Sequence, residues 1–196
     1  MPPDLKRNPP LSQPFASPRS ALAALFLVVG SLLVVPGRGA DPGSVPEVIA
    51  ARVIRVRDGD SLLVRAAGKD IEVRLADVDA PERGQPHADQ ARKALIDLLQ
   101  RRDVSVEVLD TDQYHRKVAR VRRLPDGLDI NAEVVRKGNA WVYLRYVRDQ
   151  SLFALEREAK ARHLGLWALA EPQRIPPWVY RQRERRSNQA PSATSP

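Results

Sequence analysis

The chain has 196 residues, with 32 Lys and Arg against 24 Asp and Glu, a formal net charge of +8 and an isoelectric point near 10.3. It contains no cysteine, which excludes disulfides, thiolate metal sites and a cysteine nucleophile. The basic excess favours polyanions or anionic lipid as partners, and His87, His115 and His163 lie too far apart for a zinc motif such as HExxH.

Residues 21–35, ALAALFLVVGSLLVV, are an uninterrupted apolar run preceded by Lys6, Arg7 and Arg19 and followed by PGRGA. The run is shorter than the roughly 20 residues that cross a bilayer comfortably, so residues 1–40 read as a cleaved export signal. The remainder is then expected outside the cytoplasm, periplasmic or secreted. Anchorage in the membrane by residues 21–35 is the alternative.

From Val48 the texture changes. Residues 48–56, 61–66 and 70–77 are rich in Val, Ile and Leu and are separated by Asp58-Gly59 and Gly68-Lys69, which predicts a three-strand meander. In the third strand Ile71, Val73 and Leu75 share one face and Arg74 projects from the other. Ala91, Ala94, Leu95, Leu98 and Leu99 recur at helical spacing within residues 88–100. Two more strands follow around Val104 to Val108 and Val118 to Val121. Helices are expected over 130–137, ended by Gly138, and over 152–166, reaching Gly165. This order predicts an α+β domain dominated by β over 48–170: a five-stranded barrel of the oligonucleotide/oligosaccharide-binding (OB-fold) type with about three helices packed on it. Residues 171–196, rich in Pro and Arg, are expected to form a largely disordered tail whose aromatic and basic beginning docks on the domain or holds a polyanion.

The chemistry gathers in two short stretches. RDGDS places Asp58 and Asp60 at the mouth of the second strand, and RLADVDAPE places Asp77, Asp79 and Glu82 after the third. An antiparallel hairpin brings Asp60 near Asp79, where uncompensated carboxylates would raise each other's pKa. A hard divalent cation relieves that repulsion, and an oxygen-only donor set suits calcium or magnesium. Pro81 restricts Ala80 to extended backbone and so limits where Glu82 points. Arg74, and Arg116 in TDQYHRKVARV, are guanidinium forks suited to a phosphate ester, with Glu82 near as a base.

RDGDS, RLADVDAPE, TDQYHR, INAEVVRKGNAWVY and AKARHLGLW, in that order from about Val48 to Trp167, resemble the thermonuclease, or staphylococcal nuclease, family. The resemblance implies a five-stranded barrel and Ca2+-dependent hydrolysis of DNA and RNA, leaving 3′-phosphates. It implies that Asp60, Asp79 and the backbone carbonyl of Ala80 hold one Ca2+, that Glu82 is the general base, and that Arg74 and Arg116 contact the reacting phosphate. Tyr114 corresponds to a tyrosine of the nucleotide pocket, with Tyr143 or Tyr146 as the second aromatic. Ala80 stands where threonine is usual, which spares a carbonyl ligand but removes a hydroxyl. His115 stands where glycine is common; if the position needs positive φ, histidine tolerates it better than most residues.

Bland roles are assigned to Asp58, Asp77 and Asp112, as turn and hydrogen-bonding residues, and to Trp141 and Trp167, as core. A catalytically weak nucleic-acid-binding or protein-interaction module on the same barrel is the alternative function. The complete set Asp60, Arg74, Asp79, Glu82 and Arg116 favours the enzyme. Single-stranded or breathing nucleic acid is the expected partner, because phosphate-directed groups and stacking aromatics read no base edges. No motif calls for an obligate protein partner, and a monomer is expected.

Overall fold

In chain order the elements are β1 (Glu47–Val56), β2 (Ser61–Ala66), β3 (Lys69–Leu75), the short β4 (Val78–Asp79), α1 (Ala88–Leu99), β5 (Asp103–Thr111), β6 (Lys117–Arg123), α2 (Ile130–Arg136), the short β7 (Trp141–Val142), α3 (Leu152–Ala161) and α4 (Pro177–Gln189), with 3-10 turns at Gly165–Ala168 and Glu171–Gln173. This computed structural model describes residues 46–189. The expected signal segment lies outside the described residues.

The five long strands close into a barrel in the order β1-β2-β3-β6-β5, with β5 returning to β1. Every pairing is antiparallel except β3 with β6, where Arg74 lies opposite Val118. Alternation decides which side chains fill the interior: Val53, Leu62, Val64, Val73, Leu75, Val104, Val106 and Val121 are all buried. The hairpin between β2 and β3 turns on Ala67 and Gly68, at φ 45° and 78°, one residue earlier than Gly68-Lys69. Two consecutive positive φ angles give the twist that a two-residue hairpin needs.

The third strand stops at Leu75, short of the expected 77, because Asp77 takes a φ of 66° and redirects the chain. The segment beyond pairs with β7 in a second, two-stranded sheet, Asp79 opposite Trp141. This small sheet has no sequence signal, since neither strand is long enough to show alternation.

Packed against the barrel, α1 buries Ala91, Leu95 and Leu99, and α2 buries Ile130, Val134 and Val135. Asp129 caps α2 by accepting from the Ala132 amide at 3.0 Å. Asn131, also buried, donates to the carbonyls of Ala76 (2.9 Å) and Ala119 (3.1 Å) and accepts from the Val121 amide (3.0 Å), tying α2 to the end of β3 and to β6. Trp141 and Trp167 meet edge to face at 5.4 Å in a satellite core, in keeping with their assignment as core residues.

Two expectations need correction. The helix expected over 152–166 ends at Ala161, because the backbone near Gly165 approaches that of Gly138: a Cβ on Gly138 would lie 2.2 Å from the Leu164 oxygen, and one on Gly165 would lie 2.3 Å from the Gly138 oxygen. The Leu166 amide donates to that Gly138 oxygen at 2.8 Å, so close contact between chain segments overrides helical periodicity. Residues 171–189, part of a stretch expected to be largely disordered, form a 3-10 turn and the helix α4, and their aromatic and basic part docks on the domain, one of the two roles expected for it. The barrel thus carries a fourth α-helix beyond the three or so expected.

Candidate active site

The Asp58-Gly59-Asp60 segment links β1 to β2. Its turn closes with the Asp60 amide donating to Asp58 Oδ1 at 3.0 Å and the Arg57 amide donating to the Ser61 oxygen at 2.9 Å. A Cβ on Gly59 would sit 2.6 Å from the Ala80 Cβ and 3.0 Å from that of Ala91, so only glycine lets the turn approach the VDAPE segment this closely. Burial, and then neighbouring Asp60, push the Asp58 carboxyl up to about 6.

Across this approach the Ala80 amide donates to Asp60 Oδ2 at 2.9 Å. Arg74 donates through Nη1 to Asp60 Oδ1 at 3.1 Å and through Nη2 to Asp79 Oδ1 at 2.6 Å. The hairpin thus joins the two carboxylates as expected, with a guanidinium between them. Asp60 is 4% exposed and Asp79 fully enclosed. Burial works against the charge of Arg74, but Asp60 and Asp79 outweigh it and hold the guanidinium firmly protonated. Burial likewise raises the Asp79 carboxyl, with guanidinium donors opposing it.

A second guanidinium enters from α4. Arg181 donates through Nη1 to Asp79 Oδ1 (3.1 Å), through Nη2 to Asp79 Oδ2 (2.8 Å), and through Nη1 to Glu82 Oε1. Three carboxylates are therefore balanced by two arginines, and both oxygens of Asp79 are engaged. The sequence reading missed Arg181. Its signal is a stripe: Trp178, Arg181, Gln182 and Arg185 fall at i, i+3, i+4 and i+7 of a helix with Pro177 at its first position, and all four line one cleft. A search for apolar periodicity passes over a stripe that is mostly basic and polar.

That cleft, of about 970 Å³, is also lined by Asp60, Arg74, Ala80, Glu82 and Arg116, with Asp79 beneath its floor. Arg116 is fixed by Asp112, which accepts from its amide (3.0 Å) and from Nε (2.8 Å), and from the Tyr114 amide (2.9 Å). His115 at the tip has φ 64°, so the position does take the positive angle under which histidine is better tolerated than most residues. The Arg116 guanidinium lies 5.5 Å from the centroid of the Tyr114 ring. Tyr114, Tyr143 and Tyr146 all reach the cleft, Tyr114 being 65% and Tyr146 57% exposed. Asp77 serves the turn, accepting the Arg148 amide at 2.9 Å on its carboxylate and the Tyr143 amide at 2.9 Å on its carbonyl.

Among the described residues no group of three or more His, Cys, Asp or Glu side chains is arranged to hold a metal ion. The expected set of Asp60, Asp79 and the Ala80 carbonyl contains only two carboxylates. Its donor chemistry, all oxygen, fits a hard cation, and the guanidinium groups of Arg74 and Arg181 already place positive charge among these acids.

The family described as staphylococcal nuclease homologue matches residues 72–169. The chain is 38% identical over 136 residues to an "Uncharacterized endonuclease" of Escherichia coli O157:H7, covering 69% of this chain and 87% of that protein. It is 37% identical over 174 residues to "Micrococcal nuclease" of Shigella flexneri, covering 83% and 95%, and 35% identical over 176 residues to "Protein ParB" of Escherichia coli, covering 85% and 92%. On these matches and on its closed five-stranded barrel, the chain belongs to the staphylococcal nuclease family.

Proposed function

We propose that this nuclease hydrolyses phosphodiester bonds of DNA and RNA in a Ca2+-dependent reaction that leaves 3′-phosphates, and that it works after export. The observation that carries the reading is the meeting of Asp60, Arg74, Glu82 and Arg116 in one cleft, with Asp79 directly below.

A phosphodiester resists attack because its negative charge repels nucleophiles. Arg74 and Arg116 are two forks, each able to match two phosphate oxygens, and both are held by carboxylates before any substrate arrives. Preorganised donors of this kind stabilise charge on the phosphorus centre by about 2.7–4 kcal/mol each. Asp60, Asp79 and the Ala80 carbonyl would hold the Ca2+, which when bound supplies Lewis-acid polarisation of the phosphate. Glu82, at the cleft wall, accepts the proton of the attacking water. Water oxygen bonds to phosphorus, the bond from phosphorus to the 5′ oxygen breaks, and that oxygen departs as a hydroxyl once it takes up a proton. The phosphate stays on the 3′ side.

Tyr114, Tyr143 and Tyr146 offer stacking surfaces rather than base-edge donors, which favours single-stranded or breathing substrate of any sequence. Export rests on the composition of residues 21–35, and a monomer on the absence of any motif calling for a partner.

The test is cleavage of denatured DNA and of RNA by the full chain in calcium, in magnesium and in chelator, with product ends probed by a 3′-phosphatase. Cleavage in calcium that stops in chelator and yields phosphatase-sensitive 3′ ends is expected. Cleavage that persists in chelator, or 5′-phosphate products, would contradict the reading.

A further inference from the structure

One wall of the cleft is a helix, α4, that carries none of the expected catalytic set. Trp178 stacks on Tyr143 at 5.6 Å with 13° between the rings, on one of the two tyrosines expected as the second aromatic of the nucleotide pocket. One turn further along α4, Arg181 engages both oxygens of Asp79 and one of Glu82. The helix start is secured from behind: Pro177 is buried, Gln85 Nε2 donates to the Ile175 oxygen at 2.8 Å, and the Tyr180 hydroxyl stands against Gly84. One helix face thus fills two subsites at once, with a cation surrogate on the acids and an aromatic ring on the base platform.

We propose that α4 is an intramolecular competitor of the cation and the nucleobase: Arg181 holds Asp79 and Glu82 until a divalent cation bound at Asp60 and Asp79 displaces it, and the same exchange lifts Trp178 from Tyr143 and opens the cleft. The proposal rests on the reading of Asp60 and Asp79 as the cation site. Its physical basis is exclusion. The two Asp79 oxygens already accept three guanidinium bonds, from Arg74 and Arg181, out of about four lone-pair sites, so a cation bonded there must displace Arg181 and the positive charge it seats on the acid. A site competent only in the undocked fraction has its apparent affinity reduced by that fraction, so a helix docked nine-tenths of the time weakens cation binding about tenfold. Once released, α4 presents Arg181, Arg183, Arg185 and Arg186 as phosphate contacts.

Calorimetric titration of Ca2+ into the full chain, into Arg181→Gln and into Trp178→Ala tests this without reference to turnover. Arg181→Gln is expected to bind Ca2+ about tenfold or more tightly than the unaltered chain, and Trp178→Ala, which keeps every acid and arginine, more tightly by a smaller factor. Tryptophan emission of the unaltered chain is expected to shift to the red on Ca2+ addition through Trp178, since Trp141 and Trp167 are buried in the core. Melting curves in chelator establish that both variants are folded. Equal or weaker Ca2+ binding by Arg181→Gln overturns the competition while leaving the cation site standing, and so does an emission spectrum that Ca2+ does not move. Absence of Ca2+ binding in all three forms overturns the underlying cation site as well.

Discussion

Arg74 has two tasks that separate by substitution. It lies between two nearly inaccessible carboxylates and also presents a fork to the cleft. Arg74→Lys keeps the charge but loses the fork, so turnover should fall about a hundredfold while the melting temperature stays close to that of the unaltered chain. Single-turnover kinetics beside a thermal melt would check this; near-normal turnover would remove Arg74 from the chemistry. Arg74→Ala should also lower stability, by about 3 kcal/mol in chelator, because two buried acids lose their shared partner. Both stretches holding these residues were legible in the sequence, since RDGDS and RLADVDAPE declare their turns and acids locally. Arg181 was not. Its partner Asp79 is 102 positions away, and nothing within the helix itself announces that contact.

Elements position the site through a few polar anchors. Asn131 satisfies three buried backbone groups where α2 meets the barrel. Asn131→Ala should therefore cost about 3 kcal/mol, measured as a lower denaturant midpoint, because each orphaned buried group carries its own desolvation penalty. The turn before β6 is anchored by Asp112. Burial pushes that carboxyl up, but the Arg116 amide and side chain and the Tyr114 amide outweigh it and hold it below the ordinary 3.8. A carboxyl lowered on folding contributes stability above its unfolded value and loses it as the pH falls through the folded one, so the turn should loosen below about pH 3.8. Amide exchange at Tyr114 and Arg116, corrected for intrinsic rates, should accelerate in that range and be fast at every pH in Asp112→Asn. Unchanged protection down to pH 2 would show that Asp112 does not hold the turn. The long strands and α1 were readable because apolar residues recur along each of them, even where a register shift between Val53 and Arg55 interrupts the alternation of β1. The paired β4 and β7 and the early end of α3 depend on contacts between distant backbone segments, which no local period records.

At the scale of the whole molecule, a barrel stable through its apolar interior leaves its rim free to carry charge that would otherwise repel. Acids gather at one end of β2 and after β3, arginines answer them from β3 and α4, and another arginine waits on the turn before β6. The net charge of +8 proved a sound guide to a phosphate-bearing substrate, but it gave no hint that part of the excess folds back onto the protein's own acids. The central claim is that Asp60 and Asp79 are a cation site held open to exchange with guanidinium groups. Anomalous diffraction from crystals soaked in excess calcium tests it most directly. The account predicts a peak bonded to Asp60, Asp79 and the Ala80 carbonyl, with Arg181 withdrawn from Asp79; a site without a peak, with Arg181 still seated on Asp79 at saturating calcium, would contradict it.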